Sequence, residues 1–264
     1  MRSITEAVLE NKADLGVIFD TDVDRAGAVL SDGSELNRNR IIAILAAILL
    51  REHPGTTIVT DSITSTGLAA FIKEKGGIHH RFKRGYRNVI NESIRLNNLG
   101  QDSQLAIETS GHGALKENYF LDDGAYLVTK LLIELARGKK EGYTLQSLIE
   151  TLEEPAESVE FRMNIQQSDF KAYGQKVIDT LSAYAQNQDG WSLAPDNFEG
   201  VRVNMDESHG NGWFLLRLSL HDPLLPLNIE SNSVGGAKII ANELAKFLVN
   251  FESLETTSLQ NFVK

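Results

Sequence analysis

The chain has 264 residues, with 26 basic against 36 acidic for a formal net charge of −10, 42% hydrophobic residues and no cysteine. That length supports about two domains and a real core. The acidic balance excludes a general nucleic-acid binder but leaves room for a local basic pocket for a phosphorylated small molecule. Without cysteine there are no disulfides, thiolate metal sites or thiol nucleophiles.

In chain order, residues 3–12 read as a short surface helix without the apolar centre of a signal peptide. Leu15 to Phe19 and Ala26 to Leu30 are a strand and its return, followed by a turn at Ser31 to Ser34. This opening buries too little to stand alone. Asn39 to Arg51 is a helix whose apolar run, Ile41 to Leu50, is about half a membrane span and therefore buried, so no membrane partner is expected. Thr57 to Thr60, Ile78 to Phe82 and Leu105 to Glu108 are strands; Ser65 to Lys75, Val89 to Asn97 and Ala125 to Arg137 are helices. The alternation predicts an α/β layer with a largely parallel sheet, its ligand crevice formed by the loops near residues 61, 84 and 108. Glu153 to Pro155 is a linker. Beyond it come a strand at Val159 to Ile165, a helix at Asp169 to Ala185, strands at Gly200 to Asn204, Trp213 to Ser219 and Leu225 to Ile229, and a helix at Ala237 to Phe251. That is an α+β domain, and the tail after Phe251 loses its period and reads as frayed.

Four loops carry chemistry. Asp20, Asp22 and Asp24 alternate directly after a strand and repel one another, so a hard divalent cation, Mg²⁺, is expected among them, with Arg25 placed to meet an anion. A solvated acidic turn is the alternative, and an EF-hand fails because Arg25 and Ser31 stand at its sixth and twelfth positions. Glu108, Thr109, Ser110 and His112 mix a carboxylate, hydroxyls and an imidazole at a strand exit, as hydroxyl-rich ligands require, although a plain polar turn has the same composition. Arg217 and Ser219 lie two apart at a strand end and suit a phosphate clamp, with His221 in the following turn; an edge-strand arginine over solvent is the other reading. Lys83, Arg84 and Arg87 are the main positive cluster, solvated or ligand-facing. His53, His79, His80 and His209 read as surface or structural.

These residues together resemble the α-D-phosphohexomutase superfamily, the phosphomannomutases and phosphoglucomutases. Asp20-Thr21-Asp22-Val23-Asp24-Arg25 is similar to the family's metal loop, D-x-D-x-D-R. Glu108 to His112 is similar to its sugar-recognition loop, E-x-S-G-H, and Arg217-Leu218-Ser219 sits where its phosphate loop, R-x-S-G-T-x-P, would be. The resemblance implies that residues 1–34 end the family's second domain, 35–153 form its α/β/α third domain and 154–264 its TATA-box-binding-protein-like fourth. It implies Mg²⁺ on the three aspartates and a hexose phosphate held by Glu108, Ser110, His112, Arg217, Ser219, His221, Arg25 and Arg84. It also implies an upstream phosphoserine that exchanges its phosphoryl group with C1 and C6 oxygens through a bisphosphorylated sugar.

Three departures accompany it. The family's Ser-His-Asn-Pro loop is absent, so the chain is expected to be a fragment that needs the N-terminal domains of the same protein and is inactive alone. Leu220 and His221 replace small and hydroxyl residues in the phosphate loop, and Tyr86 stands where an aliphatic residue or histidine is usual. A divergent, plastid-type form in cytoplasm or plastid stroma is the resulting expectation. Two further readings stay open: a non-catalytic sugar-phosphate-binding protein on the same fold, and a haloacid-dehalogenase-type phosphatase with Asp20 as nucleophile, Asp22 as acid and Asp122 and Asp123 as metal ligands.

Overall fold

The computed structural model describes residues 1–219 and 222–264, which divide into two compact units, Met1–Glu153 and Glu154–Lys264. Among the described residues no helix is long and apolar enough to cross a membrane. Leu220 and His221, read above as parts of the phosphate loop, lie outside the described residues.

In the first unit, helix α1 (Arg2–Asn11) packs on strand β1 (Leu15–Phe19) at Gly16, where a Cβ would lie 2.5 Å from the Val8 side chain. β1 pairs antiparallel with β2 (Ala26–Leu30), and β2 with the short β3 (Glu35–Leu36), which adds a strand to the expected pair. Next come α2 (Arg38–Glu52), β4 (Thr57–Thr60), α3 (Thr66–Glu74), β5 (Ile78–Arg81), α4 (Tyr86–Asn98), β6 (Ser103–Ile107), β7 (Gly113–Leu115) and α5 (Gly124–Glu141). The sheet order is β5-β4-β6-β7, parallel except for β7.

Because side chains of a strand alternate between faces, adjacent apolar residues serve two cores. Ile58, Leu105 and Ile107 join the cluster of α2, α3 and α5, whereas Val59 and Ala106 join Val89, Ile90 and Leu96 of α4 on the other face. The unit is thus α/β/α. Helix α2 is buried nearly all round, from Ile41 to Leu50, which is why its apolar run is continuous. The parallel register sets Thr60 beside Arg81 and Ile107. The chain therefore leaves all three strands at one edge of the sheet, and residues 61, 82–85 and 108–112 converge there.

The second unit contains β8 (Glu157–Asn164), α6 (Phe170–Ala185), β9 (Trp191–Leu193), β10 (Val201–Met205), β11 (Gly212–Leu216), β12 (Leu224–Ser231), α7 (Gly236–Leu248) and α8 (Thr257–Val263). Its antiparallel sheet runs β8-β12-β11-β10-β9, with one face packed on the helices through Val203, Phe214, Leu227 and Ile229. Turned the other way, the Arg202 guanidinium lies 3.6 Å from the Trp213 ring centroid, and the indole N–H donates to Glu230 at 3.0 Å. This α+β unit contains one short strand, β9, whose three residues are too few to show a period in the sequence.

Residues after Phe251 do not fray: Leu254 pairs with Ile165, α8 buries Leu259, and Phe262 meets Phe161 edge-on at 5.3 Å. Leu259, Phe262 and Val263 have the i, i+3, i+4 spacing of one helical face, too short to register as a period.

At the start of α7 the Glu157 carboxylate accepts from the Gly235 and Ala237 N–H groups at 2.8 and 2.9 Å, satisfying donors that the helix leaves unpaired. Glu157→Ala is expected to destabilise the protein by about 1 kcal/mol; a urea midpoint equal to wild type would show that this cap is idle.

Candidate functional site

The acidic loop joins β1 to β2. Arg25 reaches back over it: its backbone N–H and its Nε both donate to the Asp20 carboxylate. Partial desolvation pushes the Asp20 carboxyl up, but the hydrogen bonds and charge of Arg25 outweigh it and hold the group below its ordinary range. Val23, a β-branched residue, sits at φ 66°, a strained conformation kept in place by its carbonyl, which accepts from Gly124 N–H at 3.1 Å. Ligand oxygens of Asp20, Asp22 and Asp24 all lie within 4.8 Å of one another. Asp24 Oδ1 is buried and has no hydrogen-bond partner. A buried carboxylate oxygen without a donor in an all-oxygen cluster is what a hard cation would satisfy, so the residues present fit Mg²⁺.

The Glu108 loop closes on itself, with Glu108 N–H donating to His112 O and Gly111 N–H to Glu108 O. Gly111 adopts φ 103°, and a Cβ there would lie 3.0 Å from Ala26 O. That close approach lets the Glu108 loop lie directly on the acidic loop. The backbones of Arg25 and His112 form a β-bridge, and His112 Nδ1 lies 3.6 Å from Asp24 Oδ2 and 2.8 Å from Asp122 Oδ2. The buried Glu108 carboxylate accepts from Gly85 N–H at 2.6 Å and from Ser110 Oγ at 3.1 Å. The basic loop is thereby drawn to the same place, with Arg84 close enough to Asp61 for its charge to favour that carboxylate's ionised form. A cleft of about 360 Å³ opens beside Asp20, Arg25, Ser110 and Gly111.

Arg217 and Ser219 lie in the second unit just after β11. Arg217 N–H donates to Pro226 O and Ser219 N–H to Leu224 O, so the β11–β12 ladder extends to both, and the alternation places the two side chains on one side. Ser219 Oγ accepts from Asp222 N–H at 3.3 Å. The structure thus brings Asp20, Asp22, Asp24, Arg25, Glu108, Ser110 and His112 together in the first unit and Arg217 and Ser219 in one loop of the second.

Four residues that the phosphohexomutase resemblance does not place at the site belong to the first cluster. Asp61, fully buried at the exit of β4, accepts from the backbone N–H and hydroxyl of Thr109 at 3.3 and 2.7 Å. Burial first, and the charge of Glu108 second, push its carboxyl up to about 6. Asp122 holds His112, and Tyr86 stacks on the same ring. Arg38, at φ 48°, lines the cleft from the start of α2. Position at a parallel-strand exit is a signal for Asp61, and Asp122 enters only through the phosphatase reading; no local pattern marks Arg38 or pairs Tyr86 with His112. Asp123, a metal ligand in the phosphatase reading, instead caps α5 by accepting from Tyr126 N–H and takes a second bond from Asn118. His79 and His80 bond Thr60 and Glu92 in structural roles, as expected.

Residues 37–155 match the family model for the phosphoglucomutase/phosphomannomutase α/β/α domain III. The chain is 31% identical over 235 residues to a phosphomannomutase/phosphoglucomutase of Pseudomonas syringae pv. tomato, a match covering 88% of this chain and 46% of that one. The chain belongs to the α-D-phosphohexomutase superfamily. A phosphoglucomutase/phosphomannomutase family protein from Burkholderia thailandensis superposes with a TM-score of 0.76 at 28% identity, over 95% of this chain and 50% of that one. A more distant fold neighbour, N-acetylphosphoglucosamine mutase of Aspergillus fumigatus in complex with GlcNAc-6P and magnesium, has a TM-score of 0.54 at 14% identity, over 87% and 51%. The chain spans about half the length of the curated relatives it matches. Like those phosphohexomutases it has an α/β/α layer, and an α+β unit follows that layer in the chain.

Proposed function

We propose that this chain carries the metal-binding, sugar-recognising and phosphate-binding parts of a phosphohexomutase that interconverts hexose 1-phosphate and hexose 6-phosphate. In this reading residues 1–34, 35–153 and 154–264 are the end of the second domain, the third and the fourth. The observation that carries it is the joining of the metal loop to the sugar loop, His112 Nδ1 lying 3.6 Å from Asp24 Oδ2 and Gly111 resting on Ala26. A metal on one loop can then serve a group carried by a ligand on the other.

Each residue has a role by its chemistry. Glu108 can accept from adjacent sugar hydroxyls once Ser110 turns to the ligand, and Ser110 can donate or accept. His112 offers Nε2, because Asp122 takes Nδ1. Arg217 and Ser219 supply a guanidinium fork and a hydroxyl for the phosphate that is not transferred, and Arg25 and Arg84 add positive charge near the one that is. Asp20, Asp22 and Asp24 would hold Mg²⁺, which when bound neutralises charge on the transferring phosphoryl group. The 264 residues contain no Ser-His-Asn-Pro, so the phosphoserine that donates the phosphoryl group belongs, in this reading, to the N-terminal domains of the same protein.

Calorimetry of the chain with glucose 1-phosphate and glucose 6-phosphate in Mg²⁺ tests the reading. Uptake of a hexose phosphate that Glu108→Gln weakens at least tenfold is expected, since a buried carboxylate reading hydroxyls is replaced by an amide with one acceptor. Absence of binding to either sugar phosphate would refute it.

A further inference from the structure

We infer that Tyr86 is a positioning residue that fixes the plane of the His112 imidazole, so that Nε2 meets the ligand at one angle; its functional half rests on the reading of His112 as a hexose-phosphate contact. The two rings stack nearly parallel, with centroids 4.8 Å apart and an interplanar angle of 20°. Residues 26 apart in sequence reach this geometry by an identifiable route. Gly85 takes φ 112° and donates its N–H to Glu108, which pins the start of α4 to the sugar loop and turns the first side chain of that helix, Tyr86, onto the ring.

Why a stack is needed follows from what the other contacts leave undone. The His112 backbone is held by its bridge to Arg25 and by the Glu108 N–H that donates to its carbonyl. Asp122 holds Nδ1 at 2.8 Å. A single hydrogen bond in the ring plane fixes which way the imidazole points but leaves it free to rock about the Nδ1···Oδ2 line. A flat surface against one face removes that freedom, and Tyr86 supplies one. Tyr86 is itself braced: Arg87 Nε donates to its hydroxyl at 3.1 Å, the Arg87 guanidinium lies 5.6 Å from the ring, and the ring is half-buried against the α4 cluster. An aliphatic side chain would fill the space without imposing a plane.

The test compares Tyr86→Phe with Tyr86→Leu in the full chain by NMR of the His112 ring protons and by titration with glucose 1-phosphate in Mg²⁺. Phenylalanine should retain the ring-current shift on His112 and the wild-type affinity. Leucine should lose the shift and bind about three- to tenfold more weakly, the worth of one aromatic stack. Should Tyr86→Leu melt early, Tyr86→Met carries the same comparison. An unchanged His112 shift in the aliphatic variant would overturn the inference, and so would a lost shift with undiminished affinity. A wild-type chain that takes up no sugar phosphate would sink the proposed function instead; the His112 ring-proton line widths then decide the positioning role, expected to broaden with rocking in Tyr86→Leu and not in Tyr86→Phe, and equal widths in both would overturn it.

Discussion

Asp61→Asn is expected to stabilise the protein by about 3 kcal/mol near pH 7 and to leave it unchanged below about pH 4. Asp61 is fully buried, and burial together with the nearby Glu108 charge raises its carboxyl from 3.8 to about 6. A folded-state pKa above the unfolded one means that the fold favours the protonated acid. The stability this contributes is fully present below about pH 4 and is lost as the pH rises through about 6. A difference of roughly 2 pH units corresponds to roughly 3 kcal/mol. Asparagine is neutral throughout: its carbonyl can accept the Thr109 N–H and its amide can donate to the Thr109 hydroxyl, so the junction between the β4 exit and the Glu108 loop survives. Asp20, Asp32, Glu92 and Glu134, whose carboxyls lie below their ordinary values, work in the opposite sense, present above the unfolded pKa and lost in acid. Only the difference between variant and wild type therefore isolates Asp61. Urea denaturation from pH 4 to 8 should show that difference growing through pH 6; a flat difference would mean that Asp61 is not the buried acid described.

The second large effect is on metal binding. In the wild type, Mg²⁺ or Mn²⁺ should raise the melting temperature, since a ligand that binds only the folded state stabilises it by mass action, about 2.7 kcal/mol at 100 times the dissociation constant. Asp24→Asn should weaken the metal at least about a hundredfold, because even outer partners of a metal site are worth ten- to a hundredfold, and abolish the shift at the same concentration. Asp24 is the sharpest choice, as its Oδ1 is buried without a hydrogen bond, with Arg25 Nε 3.8 Å away, and its Oδ2 faces His112. Asp32→Asn, in an acid that accepts from the Ser34 N–H and hydroxyl and not from the acidic loop's Arg25, should keep the full metal response. Equal shifts in wild type and Asp24→Asn would remove the metal from this loop.

Asp24 is marked by its alternation with Asp20 and Asp22, whereas Asp61 carries no local pattern of its own. Elements whose signal is local were legible in it: the continuous apolar run of α2, the β-branched β4, the alternate aspartates after β1, and the hydroxyl-rich loop after β6. Elements shorter than a period were not. Strands β3, β7 and β9 have two or three residues and α8 has seven, and each is held by the neighbour it packs on. Resemblance carried the reading further than local patterns could, since three motifs in order identify a family that none would alone.

By itself the sequence determined which groups are present: three carboxylates that repel, a carboxylate beside hydroxyls and an imidazole, and a guanidinium two residues from a serine. It also determined that a parallel sheet would bring the strand-exit loops to one edge. Only the tertiary structure decided how those groups are held. Asp61 meets Thr109 across 48 residues, Tyr86 meets His112 across 26, and Gly111 settles on Ala26 across 85, a contact that spans two separate sheets. The reason is physical: a titrating group, a ring plane and a close backbone approach are all set by what is nearest in space. In a fold built on long-range strand pairing, the nearest neighbour is seldom the next residue.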